Sequence, residues 1–126
     1  MRSVEAQHKS LRWDEDMPVS TATKVTSLAE YLGSRPRLAV ALGVDPVQIA
    51  RWQQGQPSDL RNAERIDVLE FVLSALSRLY EPEVARRWLE GLNPHLGDRR
   101  PIDVVRSGRA EGLLQALRAE FAGLPA

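Results

Sequence analysis

The sequence predicts an all-α protein, and three observations carry that reading. Apolar residues recur three and four positions apart along most of the chain, the spacing of one helix face. Glycine and proline fall between these periodic segments as stops and starts. No run of β-branched or aromatic residues alternates with polar ones between turn signals, so nothing reads as a strand. The expected architecture is an N-terminal group of short helices, joined by a long central helix to a small C-terminal helical domain.

Residues 1–20 are polar, with Asp14, Glu15 and Asp16 preceding Met17-Pro18. Lacking sustained periodicity, they read as a polar arm from which Leu11 and Trp13 could dock elsewhere. The first helix is expected from Val25 to about Leu32, and Gly33-Ser34-Arg35-Pro36 separates it from a second, Pro36 to Leu42. Gly43 suits the left-handed position that closes a helix. Asp45-Pro46 opens the next with a capping oxygen and a proline in the first turn. That helix runs to about Gln54, where Gly55-Gln56-Pro57 stops it, so residues 21–58 form one unit.

Ser58 or Asp59 caps the longest helix, which is expected to reach Tyr80 because Pro82 follows. Its apolar surface is broad: Ile66, Leu69, Leu73, Leu76 and Tyr80 make one stripe, and Val68, Phe71, Val72 and Leu79 widen it. Such a helix is covered on both sides in the core, or gives part of its stripe to a second copy, or both. A further helix spans Pro82 to Gly91, and the loop Asn93-Pro94-His95-Leu96-Gly97 turns the chain. Pro101 opens a short helix ending at Gly108, and a last helix is expected from Arg109 to Ala122. Residues 59–126 form the second unit.

At 43% hydrophobic and 27% charged residues, the 126-residue chain has the balance of an ordinary globular protein. No stretch approaches the roughly 18 consecutive apolar residues of a membrane helix, and the N-terminus lacks the apolar segment of a secretory signal. Cysteine is absent, which removes disulfides, thiolate catalysis and cysteine-based zinc sites. By elimination the expected location is the cytoplasm. Basic and acidic residues balance at 17 each, so no general positive field would hold the chain on nucleic acid. Ser20 to Pro57 has only a slight basic excess, with Lys24, Arg35, Arg37 and Arg51 against Glu30 and Asp45. Any DNA binding there would rest on local geometry and dimerisation.

Residues 35–54, RPRLAVALGVDPVQIARWQQ, have the pattern of a helix-turn-helix. Two short helices that cross steeply need a small residue where they touch and a sharp turn between them. Ala39 and Gly43 meet those needs, and Val44 can plug the gap. Leu38 and Leu42 line the inner face of the first helix, Ile49 and Trp52 that of the second. Val47, Gln48, Arg51 and Gln54 are left facing outward. Arginine can bond guanine bidentately, glutamine can do so to adenine, and valine can touch a thymine methyl. The segment resembles the helix-turn-helix of the Cro/C1-type, or Xre, regulators, including the ending Trp52-x-x-Gly55. The resemblance implies that the second helix enters the DNA major groove. The alternative is a helical pair that no longer binds DNA.

From Glu83 to Gly123 runs an ordered series of signals: Ala85, Trp88-Leu89, Asn93-Pro94, Leu96-Gly97, Arg100-Pro101 with Asp103, Gly108, and a helix closing on Gly123. Asn93-Pro94 forces a turn. Pro101 starts a helix, and a carboxylate at Asp103 suits its positive end. Leu113, Leu114, Leu117 and Phe121 give the last helix an inner face. By spacing alone, Trp88, Leu89 and Leu96 read as core residues. The series resembles the C-terminal toxin-binding domain of the Xre/MbcA/ParS antitoxins, which usually follows an Xre-type helix-turn-helix.

That resemblance implies an antitoxin whose partner is a RES-domain toxin, of a class that degrades NAD, and whose C-terminal domain and chain end block the toxin's active site. The toxin-binding set is then Trp88, Asn93, Pro94, Leu96, Arg100, Pro101 and Asp103, with Leu124, Pro125 and Ala126 at the chain end. Gly123-Leu124-Pro125-Ala126 is short and apolar and could enter a nucleotide cleft; a frayed terminus is the plain alternative. Operator DNA is a second expected partner, bound by a homodimer inside a hetero-oligomeric toxin–antitoxin complex.

No catalytic constellation is visible. His8 and His95 have no second histidine at metal-ligand spacing, and the glycines form no phosphate-cradling loop. Asp98-Arg99-Arg100 with Asp103 reads as a solvated or partner-facing rim rather than an acid/base pair. The chain is therefore read as a non-enzyme with no cofactor and no metal. Two other readings stay open: a Cro/C1-type transcriptional regulator without a toxin partner, and a polar-anchoring scaffold protein.

Overall fold

Helix caps set the element boundaries in the computed structural model, which describes residues 19–123. Among those residues the elements are α1 (Thr21–Leu32), α2 (Arg35–Leu42), α3 (Pro46–Gln53), α4 (Leu60–Leu76), α5 (Pro82–Glu90), a 3-10 turn (Pro94–Leu96), α6 (Pro101–Arg106) and α7 (Leu113–Ala122). Together they make an all-α fold. The N-terminal residues 1–18, with Leu11 and Trp13, and the chain end Leu124, Pro125 and Ala126 lie outside the described residues.

Three boundaries differ from the sequence expectation by about a turn. α1 starts at Thr21 rather than Val25, because the Ser20 hydroxyl accepts from the Thr23 amide at 3.2 Å. Its first turn is polar, so apolar periodicity begins a turn after the helix does. α4 ends at Leu76 rather than near Tyr80. Ser77 turns its hydroxyl back to the Ser74 carbonyl at 2.8 Å, competing for the backbone there. α7 starts at Leu113 rather than Arg109, since Gly112 holds φ +85°, a left-handed angle that breaks the helix. A Cβ on Gly112 would also come within 3.1 Å of the Leu96 side chain, so the turn is fitted to the loop beneath it.

α4 is the hub. It packs on α1 and α2 on one side and on α6 and α7 on the other, while α2 also meets α6 and α1 meets α5. One continuous apolar core results, running from Val25 on α1 to Leu117 on α7. Ile66, Leu69, Val72, Leu73 and Leu76 are buried in it, each worth roughly 1.5–3 kcal/mol in apolar transfer. The broad stripe of the long helix is thus core on both flanks, with three departures, Leu79 among them, half-buried past the helix end. Tyr80 is half-buried beyond the helix end, and Phe71 is 42% exposed. On α7 the buried face is Leu113, Ala116 and Leu117, whereas Leu114, expected inward, is 45% exposed. It lies about 100° around the helix from Leu113.

Polar ties hold α6 to α4 and cross between the two halves of the chain. Arg65 Nε donates to the Arg106 carbonyl at 2.7 Å. Arg106 Nε donates to the Val40 carbonyl at 3.1 Å, and its Nη2 reaches the same oxygen. Lys24 and Asp67 form an ion pair at 2.6 Å.

Candidate functional site

Two surfaces gather the candidate residues. The first is the outer face of α3. Asp45 caps this helix by accepting from the Val47 amide at 2.8 Å, and Pro46 opens it. Gly43, at φ +72°, makes the sharp turn from α2, and the Val44 amide closes it on the Ala39 carbonyl at 3.0 Å. Ala39 is 2% exposed at the crossing, and Leu38, Leu42, Ile49 and Trp52 are all buried behind it. The pair is therefore a folded helix-turn-helix with the inner faces assigned from the sequence.

Its outer face carries Val47 (54% exposed), Arg51 and Gln54, with Gln48 half-buried beside them. The four lie within one side of the helix, as positions 47, 48, 51 and 54 must at 3.6 residues per turn. Gln53 is turned away, its Oε1 accepting from Arg35 Nε at 2.6 Å. Because Lys24 is engaged with Asp67 and Arg35 with Gln53, the slight basic excess of this region is partly spent inside the fold. Arg51 is the cation on the outer face of α3.

The second surface is the segment from Asn93 to Asp103. Asn93 is the one buried polar residue among the described residues, at 7% exposure. Its Oδ1 accepts from the His95 amide at 2.9 Å, and its own amide donates to the Arg99 carbonyl at 3.0 Å. Its carbonyl accepts from the amides of Leu96 (2.9 Å) and Asp98 (3.0 Å). The loop is thus wound around a single asparagine. Asp98 sits at φ +61°, a left-handed angle that a short polar residue tolerates best.

This winding divides the candidate set. Asn93, Leu96 and Pro101 are buried and hold the loop, whereas Pro94, Arg100 and Asp103 are exposed on it. Arg100 Nε donates to the Glu90 carbonyl at 2.9 Å, which anchors the side chain and leaves the guanidinium edge outward. Asp103 lies 3.6 Å from Arg106. Trp88 is half-buried, with its indole Nε1 donating to Glu120 Oε1 at 2.9 Å. Tyr80 donates its hydroxyl to the other oxygen of the same carboxylate. That hydrogen bond, with desolvation and the Glu120 charge adding, raises the Tyr80 phenol above its ordinary pKa. Glu120 therefore ties α5 and α7 to the segment that follows α4. No local sequence pattern marks it, since its partners lie 32 and 40 residues away.

Among the described residues no group of three acidic or histidine side chains converges to hold a metal ion. No helix there is long and apolar enough to cross a membrane.

Residues 67–122 match the model of the Antitoxin Xre/MbcA/ParS C-terminal toxin-binding domain, a span that begins within α4 and takes in the whole Asn93–Asp103 segment. The mycobacterial cidal antitoxin MbcA of Mycobacterium tuberculosis is 30% identical over 105 residues, covering 82% of this chain and 93% of that protein, and the Mycobacterium bovis antitoxin of the same name matches equally. In shape, the chain is similar to the crystal structure of the M. tuberculosis MbcT-MbcA toxin-antitoxin complex, with a TM-score of 0.66 and 29% identity over 83% of this chain and 96% of that one.

Proposed function

The chain belongs to the Xre/MbcA/ParS antitoxin family and is an antitoxin of a toxin–antitoxin system; from that premise we propose how it acts. It neutralises a RES-domain toxin that degrades NAD, and it does so by covering the toxin's active site. The carrying observation is that residues 67–122, the part matched to a toxin-binding domain, build the Asn93-centred loop and display Pro94, Arg100 and Asp103 on it. Trp88 and the chain end Leu124, Pro125 and Ala126 complete the proposed contact. The outward guanidinium of Arg100 suits a carboxylate or phosphate, which it can bond in a charge-assisted way. The chain works by binding in the cytoplasm and carries no catalysis of its own.

A second activity belongs to this proposal: α3 reads operator DNA through Val47, Gln48, Arg51 and Gln54 and so represses the antitoxin's own operon. What supports it is that these four side chains share one outer face on a well-capped helix.

The test of neutralisation is growth rescue together with NAD consumption by the adjacent gene's toxin, in the presence of wild type and Arg100→Glu. Wild type should protect and suppress NAD loss, and the variant should do so poorly with its helical content intact. A wild type that leaves NAD consumption unchanged but shifts promoter DNA would establish the Cro/C1-type regulator reading instead.

A further inference from the structure

Between α1 and α2 on one side and α5 and α6 on the other lies a cleft of about 220 Å³, where the two halves of the chain meet. Its floor is apolar, made by the buried side chains of Leu32, Leu89 and Ile102. Val40 lines it from the exposed side of α2. A site for a drug-sized molecule takes roughly 300–1,000 Å³, so this cleft fits a single small ring. Junctions between units, apolar inside and carrying a few convergent polar groups, are a preferred setting for such sites.

Two arginines line the cleft, and they are held in opposite ways. Arg37 Nη1 donates to the Leu32 carbonyl at 3.2 Å. Gly33 makes room for it, since a Cβ there would meet the same Nη1 at 3.0 Å. Among the described residues Arg37 takes part in no ion pair, so its fixed positive charge has no counter-charge. Arg86 is fully engaged. Its Nη2 pairs with Glu83, its Nη1 lies 3.6 Å from Glu90, and its buried Nε has no acceptor. Glu90 is the one carboxylate lining the cleft, and it is thus already matched. With both ends bound and its Nε covered, the Arg86 guanidinium is a fixed plate that offers a ligand its flat face. Guanidinium planes stack on aromatic rings.

We propose that this cleft is a binding site for a small aromatic carboxylate. The carboxylate meets Arg37, which bonds it in a charge-assisted way. The ring lies on Leu32, Leu89 and Ile102, and the plane of Arg86 covers it, adding the attraction between a cation and an aromatic face. Neither the outer face of α3 nor Pro94, Arg100 or Asp103 lines the cleft, so the ligand leaves both of those surfaces free. The walls are nevertheless tied to both regions. The Glu90 carbonyl holds Arg100, and the Val40 carbonyl accepts from Arg106 beside the turn to α3. A ligand seated between these walls binds only the assembled pair of halves, and so stabilises the chain as a whole.

The experiment adds benzoate to the full chain and follows calorimetry, thermal melting and the backbone amide spectrum. Benzoate should bind saturably at one site, raise the melting temperature, and move the amides of Val40, Leu89 and Ile102 most. Benzamide has the ring without the charge and acetate the charge without the ring, and each should bind about tenfold more weakly or worse. Arg37→Gln should weaken benzoate by a similar factor. Val40→Trp, at an exposed position, should close the cleft and abolish binding with circular dichroism unchanged. Should Arg37→Gln lose stability by itself, Val40→Trp decides alone. A wild type that shows no saturable binding of benzoate overturns the proposal. So does benzamide or acetate binding as tightly as benzoate, because the site would then not read a ring and a charge together. Benzoate binding that both variants retain overturns it as well, and places the ligand elsewhere. No toxin or DNA enters this assay, so its failure would leave the neutralisation reading standing.

Discussion

The α2–α3 pair and the Asn93–Asp103 segment both display polar residues from one shared core, yet they are held in different ways. α2–α3 is shaped mainly by neighbours in sequence. Ser34 and Asp45 cap its helices, Gly43 turns between them, and Val44 bonds back to Ala39. The Asn93 loop is wound locally but positioned from afar, by Gly112 over Leu96, by Glu90 under Arg100, and by Glu120 under Trp88. A surface of the first kind responds to changes within it. One of the second kind responds to changes in elements that never touch the partner.

The strongest way to break this contrast is Trp52→Ala. Trp52 is 1% exposed, and emptying such a site costs about 3–5 kcal/mol. Because the core is continuous, the thermal midpoint of the whole chain should fall and neutralisation should weaken with it. If α2–α3 melts alone while the C-terminal half keeps its midpoint, the two regions are energetically separate.

Next comes Asn93→Ala, which strips the His95 amide of its acceptor in a part-buried place. Leaving such a group unpaired costs about 1–3 kcal/mol. Melting temperature and toxin affinity should fall together while DNA binding holds. Unchanged inhibition of NAD loss would mean that the loop is not the contact.

Arg51→Ala probes the other surface. It should weaken operator binding by about 1–3 kcal/mol, the size of a bidentate base contact, with melting and neutralisation unchanged. Gel-shift titrations that do not distinguish it from wild type would remove Arg51 from the contact set.

The smallest effect is expected from Glu120→Gln, which keeps an acceptor for Trp88 and removes the charge. A change of ~1 kcal/mol is expected, with the Tyr80 phenol returning toward the ordinary value of ~10, checked by ultraviolet titration. In wild type that phenol is raised. Its contribution is therefore complete below the ordinary tyrosine pKa and is lost as pH climbs through the raised value.

Legibility in the sequence follows the same contrast. Ile49 and Trp52, three apart, and the capping residues Asp45 and Asp59 are local signals, and the structure carries each of them where the pattern places it. Phe71 and Leu114 read as members of buried faces because periodicity gives the phase of a stripe but not the width its neighbours cover. Gly112 stops a helix that the flanking residues would have continued. In the candidate toxin-binding set, motif resemblance does not separate Asn93, Leu96 and Pro101, which build the loop, from Pro94, Arg100 and Asp103, which it displays. Glu120 carries no signal at all, since a lone glutamate on an amphipathic helix looks like solvent-facing charge until Trp88 and Tyr80 arrive from elsewhere in the fold.

The reach of Arg106 to the Val40 carbonyl bears on how portable these parts are. Val40 lies in the last turn of α2, where its carbonyl accepts from the Gly43 amide at 3.2 Å and the guanidinium adds a second donor from the opposite half of the chain. A Cβ on Gly43 would meet the same arginine side chain at 3.3 Å. Grafted onto a foreign protein, residues 21–58 would arrive without this outside donor at the helix terminus just before the turn to α3. The helix-turn-helix and the C-terminal half are thus joined as a single inheritable unit, and a chimera between two such chains would need Arg106 and Gly43 to come from the same parent.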